Sequence, residues 1–262
     1  MTAVCRLPAG AALSDAARSG YRVSPARVHE RRGPAKTKTQ PVPMSLPARR
    51  LVTTADLETA LDALMRIDPR LEPIRAAAGV LPLRHLPEGF AGLAFVIVSQ
   101  MVSRAAATAI WQRMEAAEAT GAARLAQSSP QEHRAWGLSR AKAATLTAAA
   151  EASLAGHLDL KALAVAPAEQ AFSALTRLRG IGPWTAEVYL LLGLGHADIF
   201  PAGDVALQAA AQDVLGLESR PKGPDFAEIA KVWSPERSVA ARLLWAHYAR
   251  IKAAPLSAVP LP

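Results

Sequence analysis

The strongest candidate for a functional element is a three-residue turn, Gly180-Ile181-Gly182. It lies between two segments that have the apolar spacing of helices. Glycine accepts backbone conformations that other residues avoid, and it lets another chain approach closely. Pro183 follows at the start of the second helix, where its missing N–H costs nothing. Such a turn points unpaired N–H groups outward and can bind a phosphate without net positive charge. The same pattern also forms a plain tight corner between two helices, so the turn alone leaves both interpretations open.

An aspartate and two tryptophans lie further along the chain. Asp204 follows Trp184 by twenty residues and precedes the helical segment VALQAAAQDVL, where an aspartate is a good N-cap. Trp184 and Trp245 lie in Ala/Leu-rich helical segments, so each ring could pack in the core or offer its face to an electron-poor ring. We expect Trp111, Trp136 and Trp233 to be core residues.

Several kinds of site are excluded by composition. Cys5 is the single cysteine, which rules out an intramolecular disulfide, an iron-sulfur cluster and a cysteine-based zinc site. The chain has no phosphate-binding GxxxxGK[ST] loop and no GxGxxG motif, so we expect no nucleotide cofactor. The histidines show no ligand spacing, and we expect them at solvated surface positions: His29, His85, His133, His157, His196 and His247.

The charge is concentrated at the N-terminus. The chain of 262 residues has a formal charge of +8. Residues 1–50 hold ten Lys/Arg against two acids, while residues 51–262 hold twenty of each. Residues 1–50 are rich in Pro, Arg and Ala without helical or strand period, which predicts a disordered basic arm that attracts phosphates or anionic lipids. An organellar transit peptide and a start at Met44 are the alternatives.

The remaining residues have the pattern of an all-α protein. TTADLETALDALMRI predicts a helix with Thr54 as its N-cap, ended by Asp68-Pro69, and residues 90–119 predict one long or broken buried helix. Further helices follow at SRAKAATLTAAAEASLAG, PAEQAFSALTRL, GPWTAEVYLLLGL, GDVALQAAAQDVLGL, DFAEIAKVW and SPERSVAARLLWAHYARIKAA. We predict about nine or ten helices in two lobes over residues 51–255, with a hairpin at 175–192 and a tail at 256–262. The apolar stretches fall short of the roughly 20 residues that span a bilayer, so we expect a soluble protein.

Four blocks, in order, resemble the helix-hairpin-helix DNA glycosylase superfamily, within it the 3-methyladenine DNA glycosylase II branch of alkylation repair. They are FAGLAFVIVSQMVSRAA, LRGIGPWTAE, DIFPAGDVALQ and WSPERSVAARLLW. Together they cover roughly residues 90–248. The hairpin occurs in many DNA-binding proteins, whereas the PxGD block at this distance is more specific.

The resemblance implies roles for three residues. Asp204 takes the position of the catalytic aspartate, which would stabilise the oxocarbenium-like charge that develops when an N-glycosidic bond breaks. Trp184 and Trp245 match aromatic residues of the base pocket, suited to cationic alkylated bases. Trp184 also stands where lyase-active relatives carry a lysine, so we expect a monofunctional enzyme that leaves an abasic site without strand cleavage.

The resemblance also implies the DNA contacts. Gln100 and Met101 match a polar-plus-wedge pair that fills the gap left by a flipped base, although many relatives have a second Gln in place of Met101. The alternative is that Met101 continues the apolar face of its helix. The hairpin residues Gly180, Ile181 and Gly182 would bind the DNA backbone.

A monovalent cation is the further expectation from the resemblance. The main-chain carbonyls of Thr176, Leu178 and Ile181 are the aligned ligands, and the ion would bridge to a DNA phosphate. The chain departs from the branch at Val188, where a pocket tyrosine occurs in relatives, and in lacking an extra α+β domain before the helices.

The sequence therefore predicts a monofunctional DNA glycosylase that excises alkylated purines of the 3-methyladenine type from double-stranded DNA. We expect a monomer in the bacterial cytoplasm, associated with the nucleoid, without a membrane partner, required cofactor or iron-sulfur cluster. One alternative is a non-catalytic helix-hairpin-helix module that recognises lesions without cutting. Another is a glycosylase for oxidised, deaminated or mismatched bases.

Overall fold

The computed structural model describes residues 47–83, 86–87 and 89–252, which belong to one unit of the chain, Met44–Pro262. Most of the predicted arm at 1–50, with Cys5, His29 and Met44, lies outside the described residues, as do His85 and the predicted tail at 256–262. Within the described residues the secondary structure is helical, with an isolated bridge between Arg50 and His196. The all-α prediction is confirmed.

The described residues form thirteen α-helices. They are α1 (Thr54–Ile67), α2 (Glu72–Ala78), α3 (Phe90–Ser99), α4 (Arg104–Ala116), α5 (Ala122–Ala126), α6 (Pro130–Trp136), α7 (Arg140–Leu154), α8 (Leu160–Val165), α9 (Ala168–Thr176), α10 (Pro183–Val188), α11 (Val205–Leu215), α12 (Gly223–Ala230) and α13 (Arg237–Ile251). Short 3₁₀ turns lie at Pro69–Leu71 and Lys231–Trp233, and a π turn at Tyr189–Gly193 continues α10. No helix among the described residues is long and apolar enough to cross a membrane.

The start of α1 differs by one residue from the prediction. Thr53, not Thr54, is the N-cap, because its hydroxyl accepts the N–H of Asp56 at 3.1 Å while the Asp56 carboxylate accepts the N–H of Thr53 at 2.9 Å. This reciprocal pair is a capping box, which needs an acid three residues after the cap. Asp68 ends the helix, as predicted.

The core forms around α13 and α3. Every residue from Ser238 to Ala246 in α13 is buried, which is typical of a helix enclosed on all sides. Helix α13 packs against α1, α2 and α11, whereas α3 packs against α4 and α7. These two groups agree with the two predicted lobes. Helix α10 and its π turn also contact α3, so the predicted hairpin lies beside the end of a buried helix.

Candidate active site

Asp204 lies at the junction between a short loop and α11. Its carboxylate Oδ1 accepts the backbone N–H of Leu207 at 3.0 Å, so the residue is the N-cap of the helix, and 6% of its surface is exposed. The loop before it is held by Gln208, whose side-chain amide donates to the carbonyl of Ala202 at 2.9 Å. Gln208 is a site residue that sequence reasoning missed. Its signal is a polar side chain on an otherwise apolar face, four residues after Asp204.

Both predicted pocket tryptophans bind the same carboxylate. The indole N–H of Trp184, on α10, donates to Asp204 Oδ2 at 3.0 Å, and that of Trp245, on α13, donates to Oδ1 at 3.3 Å. An indole N–H only donates, so each ring edge must face an acceptor such as this. Three donors from α10, α11 and α13 therefore fix the orientation of one carboxylate. The N-cap role and the site role predicted for Asp204 are geometrically compatible.

The two rings differ in how much of their surface is accessible. Trp245 is 4% exposed, so most of its ring contacts protein, whereas Trp184 is partly exposed. Trp184 is thus the ring with more face available to a ligand. Val188, one turn after Trp184, is buried and presents no aromatic face. Trp111, Trp136 and Trp233 are buried, as predicted.

The hairpin joins α9 to α10 through two glycines with different constraints. Gly180 has φ +90°, and a Cβ there would lie 1.8 Å from Thr145 Oγ1, so the turn must have glycine at this position. Gly182 has φ −85°, and a Cβ there would meet nothing within 4 Å. The first glycine is required by packing inside the protein. The second is exposed and has open space on the side where a Cβ would lie.

The carbonyls predicted to hold a cation lie at this corner. Thr176 is the last residue of α9, and the Leu178 carbonyl accepts the N–H of Ile181 at 3.0 Å. A carbonyl oxygen has two lone pairs, so that hydrogen bond leaves one for an ion. The buried side chain of Ile181 fixes its backbone in the turn. The cation at these three carbonyls stays a prediction.

The segment between α3 and α4 carries the predicted wedge. Met101 has a fully exposed side chain and φ +53°, an uncommon conformation for a residue with a Cβ. The alternative that Met101 continues a buried face is therefore wrong, because the helix ends at Ser99. Gln100 instead turns inward, with its side-chain nitrogen 3.1 Å from the carbonyl of Gly180. Lys142, missed by sequence reasoning, donates to the carbonyl of Val98 at 2.7 Å.

The prediction that the histidines are solvated is wrong for three of them. His196 is buried 3.0 Å from a backbone carbonyl, His133 lies 2.6 Å from a serine hydroxyl, and His247 lies 2.6 Å from a carboxylate. Each has a local hydrogen-bond partner that its sequence neighbours do not reveal. Burial lowers the pKa of His133 and of His196. In the part of the chain that the structure describes, no three His, Cys, Asp or Glu side chains could hold a metal ion.

Glu187 is a third residue that the sequence does not single out, after Gln208 and Lys142. It lines a cavity of about 350 Å³ with Asp198 and Arg237. Burial raises the pKa of Glu187 to about 7, against the opposing effect of the Arg237 charge. Arg237 is already bound to the Asp198 carboxylate at 2.6 Å. Glu187 is therefore a group that titrates near neutrality, on the same helix as Trp184.

Known proteins with similar sequences and folds share this arrangement of helices. Over 199 residues the chain is 27% identical to the alkylbase DNA glycosidase-like protein mag2 of Schizosaccharomyces pombe, covering 73% of this chain and 93% of mag2. The crystal structure of a DNA-3-methyladenine glycosidase from Bacillus halodurans has a TM-score of 0.65 at 29% identity, covering 74% and 91% of the two chains. The Schizosaccharomyces pombe 3-methyladenine DNA glycosylase Mag1, in complex with abasic DNA, matches in fold with a TM-score of 0.66 at 24% identity, covering 74% and 97%.

The family match covers the hairpin, Asp204 and the wedge segment. The model of the HhH-GPD superfamily of base excision DNA repair proteins matches residues 94–235, more than half of the chain. This region begins within α3 and ends before α13, so it includes every element that positions Asp204 except the helix of Trp245. The chain belongs to the HhH-GPD superfamily of base excision DNA repair proteins.

Proposed function

We propose that this protein is a monofunctional DNA glycosylase that hydrolyses the N-glycosidic bond of alkylated purines flipped out of duplex DNA. The observation that carries the proposal is the Asp204 carboxylate, held by two indole N–H groups and a helix N-terminus beside the hairpin helix. The relatives named for alkylbase and 3-methyladenine glycosidase activity support the substrate class.

The chemistry follows from the charge that develops in the reaction. Breaking the bond between base and sugar gives the sugar oxocarbenium character, and a fixed carboxylate stabilises that charge without reorganising. Asp204 is fixed in this way, because its two oxygens accept hydrogen bonds from three separate helices. The same carboxylate can orient the water that attacks the sugar carbon.

The residue at the position of the lyase amine favours a reaction by hydrolysis alone. A lyase reaction needs an amine that forms an imine with the opened sugar. By the family resemblance Trp184 stands where lyase-active relatives carry that amine, and its N–H donates to Asp204. Lys142 is buried with its amine on the carbonyl of Val98. The product is therefore an abasic site in an unbroken strand.

Recognition of the base combines flipping with an aromatic face. Unstacking a nucleotide costs a few kcal/mol, least for damaged or weakly paired bases. Met101 is exposed at the end of α3, where an unbranched apolar side chain can fill the gap that remains in the stack. The accessible face of Trp184 then attracts a cationic purine, an interaction worth about 0.5 to 2 kcal/mol.

DNA backbone binding is assigned to the hairpin. Gly182 is the exposed N-cap of the helix formed by α10 and its π turn, and backbone N–H groups at such a helix start can bind a phosphate. A monovalent cation on the carbonyls of Thr176, Leu178 and Ile181 would add positive charge at the same corner. Its role is to bind phosphate, outside the bond-breaking step.

The test compares the wild type with Asp204→Asn on methylated duplex DNA. Asparagine also caps a helix through its one amide oxygen, whereas its NH2 group cannot accept the Trp184 N–H, so the variant removes the charge and one indole hydrogen bond but keeps the cap. Released bases are measured at saturating enzyme, and strand breaks are scored with and without alkali. We expect the wild type to release 3-methyladenine, the variant to be slower on the order of a hundredfold, and breaks to appear only after alkali.

Two results would contradict the proposal in different ways. Strand breaks without alkali would show lyase activity and remove the monofunctional assignment. Binding to damaged DNA without release of any alkylated base would favour the non-catalytic lesion-recognition module. Equal unfolding temperatures and equal affinities for undamaged DNA would show that Asp204→Asn changes the chemistry alone.

A further inference from the structure

Gln100 lies directly before Met101 and makes two hydrogen bonds across the molecule. Its side-chain nitrogen donates to the carbonyl of Gly180 at 3.1 Å and to the hydroxyl of Thr185 at 2.8 Å. A carbonyl cannot donate, so the amide nitrogen must be the atom that faces Gly180. The nitrogen carries two hydrogens, and these two acceptors use both of them. Both side-chain N–H groups of Gln100 are thus hydrogen-bonded within the protein.

The two acceptors belong to the hairpin. Gly180 is the glycine whose conformation the turn requires, and Thr185 is a buried residue in the first turn of α10. Gln100 itself ends α3, with its backbone N–H bound to Ile97. One side chain therefore connects the end of α3 to both the turn and the helix of the hairpin. Met101, the next residue, projects fully exposed from that connection.

Helix α7 supports the same corner from the other side. The Lys142 amine donates to the carbonyl of Val98 near the end of α3, while Thr145, one turn later, packs against Gly180. The position of Gly180 is thus defined by α7 on one side and by Gln100 on the other. The end of α3 and the hairpin form one connected structure.

We propose that Gln100 is a positioning residue that sets the register between Met101 and the hairpin. This inference rests on the proposed function, in which the hairpin binds a phosphate and Met101 enters the base stack. With Gln100 in place, phosphate binding at the hairpin also fixes where Met101 meets the duplex. In this proposal Gln100 acts through Met101, with its amide N–H groups used inside the protein rather than on DNA.

The experiment measures binding to two duplexes of the same sequence, one undamaged and one with a tetrahydrofuran abasic analogue beside a 2-aminopurine. The variants are Met101→Ala, Gln100→Leu and the double variant, with Gln131→Leu, exposed on α6, as the matched control. Affinity is measured for each duplex, and 2-aminopurine fluorescence reports the unstacking that an inserted wedge causes. Neither readout needs base release.

We expect Met101→Ala and Gln100→Leu each to reduce the preference for the abasic duplex about tenfold and to lower the fluorescence change. Their affinities for the undamaged duplex should stay within about twofold of the wild type, since the phosphate contacts persist. The double variant should match Met101→Ala, because residues that act through one another are not additive. Thr185→Val, which removes one acceptor, should give a smaller loss, and Gln131→Leu none.

Three outcomes would overturn the proposal. Additive losses in the double variant would mean that Gln100 contacts DNA directly. Equal losses on both duplexes, with a lower unfolding temperature, would mean a purely structural role. An unchanged preference in Gln100→Leu would mean no role. Failure of the glycosylase function has a separate signature, because a protein that prefers abasic DNA but releases no base would keep this variant pattern and still support the role of Gln100.

Discussion

At the residue scale, the candidate site depends on what surrounds one carboxylate. The sequence identifies Asp204, Trp184 and Trp245 through the resemblance of their segments to the glycosylase family. It does not reveal that both indoles point their N–H groups at the same side chain, because ring orientation depends on packing between α10, α11 and α13. For the same reason the sequence leaves Glu187 unnoticed, since its environment at Asp198 and Arg237 comes from residues distant in the chain.

The indole hydrogen bonds lead to a prediction for two conservative variants. Trp184→Phe and Trp245→Phe keep most of the ring but remove one donor to Asp204 each. A hydrogen bond to a charged group is worth about 1.5 to 3 kcal/mol, so we expect the single-turnover excision rate to fall about tenfold or more in each variant. Trp136→Phe, in the buried core at α6, is the matched control. Lower affinity with an unchanged excision rate would argue that the rings only bind the base.

The pKa of Glu187 predicts a pH dependence of stability. Burial raises this pKa to about 7 from its ordinary value of 4.5, so between those values the folded state binds more protons than the unfolded state. The free energy of unfolding therefore falls as pH rises through this window. Nearby charges on the same cavity are Glu169, Asp198 and Arg237.

Glu187→Gln removes this titration. When the pH is raised from 5 to 8, we expect the stability of the variant relative to the wild type to increase by on the order of 1 kcal/mol. Urea unfolding at both pH values measures the difference in unfolding free energy between the two proteins. His133 and His196 titrate in both proteins, so their contributions cancel in this difference. A constant difference between the two proteins at both pH values would contradict the raised pKa.

At the element scale, prediction succeeded where helices are long, whereas the capped but short α6 was missed. The helices α1, α7, α11 and α13 span at least three turns, which is enough for apolar periodicity to be visible. The sequence analysis missed α2, α5, α6 and α8, which have five to seven residues and give less than two turns of pattern. Ser103 is a local signal for the break at residues 100–103, since it caps α4, whereas the hairpin contact of Gln100 comes from residues far along the chain.

We expect substitution by alanine to destabilise the protein at one hairpin glycine and to leave its stability unchanged at the other. Gly180→Ala places a Cβ against Thr145 at a positive φ, so we expect a loss of about 2 kcal/mol or more in stability. Gly182→Ala has open space and an ordinary φ, and its stability should stay within about 0.5 kcal/mol of the wild type. Thermal and urea unfolding of both variants would test this. Equal destabilisation would mean that the turn is constrained at both positions.

At the scale of the whole molecule, the helical spacing of apolar residues predicted the fold class, and the excess of basic residues lies near the N-terminus. Residues 1–43 carry eight Lys/Arg and two acids. Deleting them should weaken non-specific DNA binding and lower its salt dependence, because fewer counterions are released. Binding measured over a range of salt concentrations checks this. Single-turnover excision at saturating enzyme should be largely unchanged, and its collapse in the shortened protein would show that the arm takes part in the reaction.

Asp204 is both the N-cap of α11 and the residue assigned to the chemistry, and this combination limits how the position can change during evolution. The side chain assigned to the chemistry also begins α11, so its loss would cost both activity and folding stability. Asparagine and serine keep the cap, whereas alanine loses it. A lineage that abandoned catalysis would therefore retain a polar cap at this position under selection for stability alone. In such descendants, substitution of Trp184 and Trp245 would therefore be a better sign of lost activity than substitution of Asp204.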